Sequence, residues 1–289
     1  MNFILVSLGS VPKYLDQCIN QIKKTQKKSK IYLLTNEQTN YINKNCKIVY
    51  VENLKKSKEH VIFLKKSKFT KDNYRNFFWK RSIERLYYID NFLKKTNLKK
   101  VFHIENDVLL FQDLKPILKE IDKFNFVCVR DSSIRVIGSL IFIRNRNISS
   151  KIASICSKYL NQNDMKILDK LEKKIRNTFY LPIGEDLEFI KNSKNYKKIK
   201  KIPFIFDGAA IGQYIDGPHR KKFIHRLYPE IKKFFFKNDG FINTETDLRI
   251  SNWIIKWINK KPYKQENNNL IPIANLHIHS KDLKKFSIN

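Results

Sequence analysis

The stretch Val101-Phe102-His103-Ile104-Glu105-Asn106-Asp107-Val108-Leu109-Leu110-Phe111 decides how this chain is read, because two short apolar runs enclose an acidic triplet. A short apolar run bounded by polar residues reads as a buried strand, which puts two carboxylates at a strand exit. If the chain stays extended there, residues i and i+2 point to one side. Glu105 and Asp107 then converge on one ligand while Asn106 points away. Mg2+ or Mn2+ prefers oxygen ligands and keeps open positions for substrate phosphates, so the pair is a candidate for metal-assisted handling of a diphosphate. Taken alone, an acidic triplet is more often a solvated strand end before a turn. The surroundings must decide.

Upstream, Phe3 to Val6 reads as a buried strand ending at Ser7-Leu8-Gly9-Ser10, and Tyr14, Leu15, Cys18, Ile19 and Ile22 follow at helical spacing. Ile31 to Leu34 is a second strand ending at Thr35-Asn36, and Ile48 to Val51 a third. Strands alternating with helical patterns open an α/β sheet. Ligands of such sheets bind outside the carboxyl ends of the strands, so Ser7 to Ser10, Thr35-Asn36 and Glu105 to Asp107 are candidates for one shared crevice. From Phe77 to Leu93, apolar residues at spacings of three and four predict an amphipathic helix. Its basic residues Lys80, Arg81 and Arg85 are either a solvated face or contacts to a diphosphate.

Downstream, Phe126 to Val129 and Ser139 to Ile143 read as strands, and a helix is expected from about Ser149 to Leu160. In Leu181-Pro182-Ile183-Gly184-Glu185-Asp186-Leu187-Glu188, a Pro/Gly turn leads into acidic residues suited to opening a helix. In Phe206-Asp207-Gly208-Ala209-Ala210-Ile211-Gly212-Gln213-Tyr214, small residues surround one carboxylate and allow close approach of a ligand or backbone. Asn275, His277 and His279 share a face if their segment is extended, and that face is either structural or a metal ligand set. Lys281 just beyond it is placed to neutralise a phosphate as a point charge.

The chain has 289 residues, 42% of them hydrophobic and 13% aromatic, enough for a sizeable core. Its net charge of +31 raises the possibility of nucleic acid or an anionic membrane, but 47 of the 58 basic residues are lysine and they are dispersed. Nucleic-acid readers favour Arg for bidentate contacts, so most lysine pairs, such as Lys55-Lys56 and Lys232-Lys233, read as solvated surface. The summed field would still attract an anionic substrate. Cys18, Cys46, Cys128 and Cys156 have no CxxC spacing and read as reduced thiols. No secretory signal and no apolar run of roughly 20 residues is visible, so a cytoplasmic protein without a transmembrane segment is expected. No repeat or linker divides the sequence, and one continuous domain over residues 1–289 is expected.

Taken together, FHIENDVLLF, FDGAAIGQY and the terminal LHIHSK, following an N-terminal α/β half, resemble metal-dependent glycosyltransferases of the GT-A fold. Glu105 stands where that family's DXD motif usually has its first Asp. The resemblance implies an α/β fold with a Rossmann-like mixed sheet flanked by helices, with a nucleotide-binding half over about 1–112 and an acceptor-binding half over about 113–289. It implies a nucleotide-sugar donor, UDP-sugar favoured, a glycan or other hydroxyl acceptor, Mn2+ or Mg2+ as cofactor and no specific nucleic acid. By position, Asp107 would bind the metal, with Glu105 on the metal, its water or the donor sugar. His277 or His279 would be a late ligand, and Lys281 would meet the diphosphate. Ser7, Gly9, Thr35 and Asn36 would lie around the nucleoside. Glu185-Asp186 resembles the family's acidic pair, with Asp186 the general base of an inverting transfer and Asp207 its rival. Other readings are a metal-dependent nucleotidyltransferase or phosphohydrolase, for which no second set of acidic ligands is visible, and a basic nucleic-acid-binding protein.

Overall fold

The computed structural model describes residues 1–72, 74, 77–218, 236–237, 240–241, 243 and 245–288; the Lys232-Lys233 pair lies outside them. In chain order its first half runs β1 (Asn2–Ser7), α1 (Leu15–Thr25), β2 (Lys30–Thr35), β3 (Lys47–Tyr50), α2 (Lys58–Lys66), α3 (Phe78–Thr96), β4 (Val101–Ile104), β5 (Val108–Leu110) and α4 (Leu118–Ile121). Then follow β6 (Phe126–Ser132), β7 (Arg135–Ile143), α5 (Arg146–Cys156), α6 (Asp164–Lys174), β8 (Thr178–Tyr180), α7 (Glu188–Lys191), α8 (Tyr196–Ile199), β9 (Ile205–Phe206) and α9 (Ala210–Asp216). The last strands are β10 (Phe236–Lys237), β11 (Gly240–Phe241), β12 (Ile254–Ile258), β13 (Lys261–Glu266) and β14 (Asn269–His277), before a C-terminal helical turn, Leu283–Phe286.

A seven-stranded mixed sheet in the order β3-β2-β1-β4-β7-β6-β8 forms the frame. Strands β1 to β4 in this sheet are parallel, and β7 runs antiparallel to both its neighbours. Alternation along β1 shows why the sheet is covered on both faces. Phe3 and Leu5 pack with α1 and the second sheet, whereas Ile4 and Val6 pack with α2, α3, α5 and α6. Each fully buried side chain of this size contributes about 1.5–3 kcal/mol, and a strand apolar on both sides is suited to such a sandwiched position.

The second sheet, β12-β13-β14-β5 with β9 beside β14, receives β5 directly from β4. Between the two strands the chain turns, with Val108 N–H donating to Glu105 O at 3.2 Å. Glu105 and Asp107 therefore occupy a turn joining two sheets rather than the extended segment expected. Asn106 does point elsewhere, its amide donating to Val6 O at 3.0 Å and tying the turn to β1.

Helix α3 buries Ile83, Leu86, Tyr87, Ile89, Phe92 and Leu93 as its periodicity predicts. Of the two readings of its basic face, Arg85 does not follow the solvated one. Helix α6 supplies a carboxylate at its start, and the guanidinium is enclosed between sheet and helices. The Glu185-Asp186 pair also differs from expectation, because α7 begins only at Glu188 and both residues lie in the preceding loop. Cys18, Cys128 and Cys156 are buried thiols, Cys46 is half-buried, and none of the four is in a disulfide. Among the described residues no helix is long and apolar enough to cross a membrane.

Candidate functional site

Strand β14 reaches the acidic turn through its antiparallel pairing with β5, which sets His277 opposite Val108. One step on, Ile278 N–H donates to Asp107 O at 2.9 Å. This register brings side chains some 170 positions apart into contact. His277 Nε2 lies 3.2 Å from Asp107 Oδ2 and 3.3 Å from Glu105 Oε2. The other ring nitrogen, Nδ1, is 2.7 Å from Gly208 O, a partner that can only accept. The bond therefore assigns a proton to Nδ1 and aims Nε2 at the carboxylates, the orientation a metal-ligating imidazole requires. Glu105, Asp107 and His277 are the group of at least three His, Cys, Asp or Glu found among the described residues with ligand atoms close enough to share an ion. An O,O,N donor set suits Mn2+ or Mg2+ when phosphate or water fills the remaining positions.

Cations hold both carboxylates. Lys281 Nζ contacts Asp107 Oδ2, and Arg85 contacts Glu105 Oε1 while its other terminal nitrogen lies 2.8 Å from Asp164 Oδ2. Burial favours a neutral Asp107, but His277 and Lys281 outweigh it and hold the carboxyl well below its usual range. For Glu105 burial likewise opposes ionisation, and Arg85 and His277 prevail. Burial would lower the His277 pKa; the facing carboxylates of Asp107 and Glu105 instead raise it to about 9.

Asp207 acts on the same site from behind. Its carboxylate accepts backbone N–H groups from Ile211 at 2.9 Å, Gly212 at 2.8 Å and His277 at 2.9 Å. Its main chain exchanges two bonds with the Asn275 amide, at 3.2 and 2.8 Å. With 1% exposure and three donors on it, this carboxylate fastens α9 to β14 and has no route to an acceptor. Asn275 is used in the same fastening. Burial pushes the Asp207 carboxyl up to about 6 even against its three donors.

His279 follows its neighbour, the two rings lying 4.1 Å apart, yet it is outside the close group of ligand atoms. Burial and the His277 charge hold its pKa well below the usual imidazole value. Asp186 is elsewhere. It accepts from Tyr196 Oη at 2.8 Å and pairs with Lys200 at 2.6 Å, on the wall of a cleft of about 530 Å3 that reaches Ile271 of β14. The same cleft is also lined by Ile205, two residues before Asp207. The contacts of Asp186 are thus with Tyr196 and Lys200 rather than with the acidic turn.

The expected nucleoside residues do meet. Ser7 and Thr35 are register partners at the ends of β1 and β2, and Gly9 N–H donates to Asn36 Oδ1 at 2.7 Å. The Arg81 guanidinium lies against Gly9, where a Cβ would fall 2.3 Å from Nη2. This ledge adjoins the acidic turn through β1 and its neighbour β4. Asp164 and Gly138 join the site without having been singled out in the sequence. A Cβ on Gly138 would fall 2.5 Å from Arg85 Nη2 and 3.1 Å from Glu105 Oε1, and a glycine interrupting an apolar strand is a signal of such close approach. Asp164, at the start of α6, carries no comparable signal.

The fold and site define a mixed α/β protein with a candidate divalent-cation centre at the carboxyl ends of parallel strands. No protein-family model matches the sequence, and no curated protein matches it. Among solved structures it is similar to the galactosyltransferase LgtC, crystallised with donor and acceptor sugar analogues, at 12% identity over 68% of this chain and 82% of that one, with a TM-score of 0.42. The glycosyltransferase GlyE of Streptococcus pneumoniae TIGR4 is 14% identical over 64% of this chain and 46% of its own, with a TM-score of 0.41. Mouse xyloside xylosyltransferase 1 is 7% identical over 69% and 93%, with a TM-score of 0.39.

Proposed function

We propose that this protein is a divalent-metal-dependent glycosyltransferase of the GT-A type, moving a sugar from a nucleotide-sugar donor, UDP-sugar favoured, to a hydroxyl acceptor. The convergence of Asp107, Glu105 and His277 beside Lys281, next to the Ser7–Asn36 ledge, carries this reading. It combines a cation centre, an adjoining ammonium and a polar shelf, as a nucleoside diphosphate requires. A bound Mn2+ or Mg2+, held by Asp107 and His277 with Glu105 beside them, would neutralise the charge that builds on a departing diphosphate. Lys281 reaches the same oxygen of Asp107 and supports that charge as a point donor. Arg85 holds Glu105 in place, its guanidinium already occupied by Glu105 and Asp164. Arg81 lies against Gly9 on the nucleoside ledge, where it would face the donor.

What this arrangement supports is activation of the leaving group. Asp207 is held by three backbone donors and Asp186 lines its own cleft, so no base is assigned in this reading. The test is release of UDP from a panel of UDP-sugars with Mn2+ present. Wild-type protein should turn over at least one of them, and both excess EDTA and Asp107→Ala should remove the activity. Full turnover in EDTA, or by Asp107→Ala, would reject the metal centre; metal-dependent hydrolysis of nucleotides without a sugar would favour a phosphohydrolase.

A further inference from the structure

The second sheet has one face turned to the core and one turned away, and the outward face is apolar in an unusual way. Cross-strand register assigns its rows: Ile254, Gln265 and Leu270 form one, Lys256, Tyr263 and Pro272 the next, and Ile258 with Lys261 the last. Of the opposite set, Trp257 stacks on Phe286 although it is 40% exposed, and Glu266 at the end of β13 is exposed. Lys264 is buried with its ammonium over Trp253, and Ile271 lines the cleft around Asp186. On the outward face Ile254 is 58% exposed, Leu270 41% and Ile258 40%, with Tyr263 and Pro272 half-exposed between them. A strand's solvent side ordinarily alternates to polar residues. Here it holds five apolar side chains, two lysines, one glutamine and no carboxylate, on a sheet whose edge strand is β12.

We propose that this face docks on an anionic lipid bilayer. A partner must accept both apolar side chains and ammonium groups within one shallow surface. The bilayer interface does so, since isoleucine and leucine enter the acyl boundary, tyrosine sits at headgroup level, and lysine extends its charge to the phosphates. Charge decides against a second copy, because each protomer would bring Lys256 and Lys261 against like charges in a chain of net charge +31, whereas an anionic leaflet attracts both. A nucleic acid would leave the isoleucines and Leu270 without a partner. The proposal does not depend on the reading of the metal centre.

Sedimentation with vesicles tests it. Full-length protein should bind vesicles of phosphatidylcholine with 30% phosphatidylglycerol and should bind pure phosphatidylcholine weakly. The double variant Lys256→Gln/Lys261→Gln should bind roughly thirtyfold more weakly, as expected for two lysines at a charged surface. Ile254→Ser/Ile258→Ser/Leu270→Ser should weaken binding at least tenfold. The control Lys65→Gln/Lys66→Gln, on exposed positions of α2 across the main sheet, carries the same charge change and should bind as wild type. Equal losses in the control would show diffuse charge attraction and overturn the proposal. So would absence of binding to anionic vesicles, or concentration-dependent dimerisation abolished by the face variants. Should the triple variant misfold, Leu270→Cys in a Cys46→Ser background, labelled with a polarity-sensitive dye, gives a second reading. Its emission should shift to the blue on anionic vesicles, and an unchanged spectrum would reject the docking face.

Discussion

At the residue scale, two aspartates that the sequence places at the site do different work. Asp107 faces His277 and Lys281, whereas Asp207 spends its carboxylate on three backbone donors. Asp207→Ala would leave those N–H groups buried without acceptors, at about 1–3 kcal/mol for each group left unsatisfied. We expect urea denaturation to show a loss of at least about 3 kcal/mol; a variant as stable as wild type that had lost only transfer would return Asp207 to the list of catalytic groups. His277 carries a second expectation. Coordination needs an unprotonated Nε2, while Asp107 and Glu105 overcome burial and raise its pKa to about 9. Below that pH a proton competes with the metal, so apparent Mn2+ affinity should rise about tenfold per pH unit from 6 to 8.5 and level off near 9. Calorimetric titration across that range checks the sign. A flat profile would remove His277 from the ligand set.

At the scale of elements, the site exists because β5 and β14 pair and α9 is clamped behind them. Gly212 makes the clamp possible, since a Cβ there would stand 2.2 Å from His277 O, a backbone atom that cannot swing aside. Gly212→Ala should therefore separate α9 from β14 and destabilise the fold by about 1–3 kcal/mol, measured as a lower thermal midpoint. Gly138→Ala acts differently. Its Cβ would meet the Arg85 guanidinium and the Glu105 carboxylate, side-chain ends that can shift, so we expect a smaller stability loss accompanied by weaker Mn2+ binding. Unchanged Mn2+ affinity in Gly138→Ala would mean that the Arg85–Glu105 contact does not set the position of Glu105.

At the scale of the whole molecule, the candidate ligand set is shared between the β4–β5 turn and β14, so the proposed metal binding would be tied to the joining of the two sheets. An ion that binds only the folded chain stabilises it by about 2.7 kcal/mol at a hundred times its Kd. Mn2+ should accordingly raise the thermal midpoint of wild-type protein and leave that of Asp107→Ala unmoved. A rise of the same size in both proteins would place the ion elsewhere.

Much of the framework was legible in the residues alone. Apolar runs such as Phe3–Val6 and Val101–Ile104 declare buried strands because burial on both faces demands continuous hydrophobicity, and the 3.6-residue period of α3 declares its core stripe. The acidic turn and the late histidines were likewise visible as chemistry without an address. Sequence could not say that Glu105 and Asp107 meet through a turn, that Arg85 is enclosed by Asp164 instead of facing solvent, or that Asp186 and Asp207 are a cleft residue and a backbone clamp. Those facts depend on strand register and helix placement between segments far apart in the chain. Local propensity acts over a few residues, whereas the partner that gives a carboxylate its role is chosen by the packing of the entire fold.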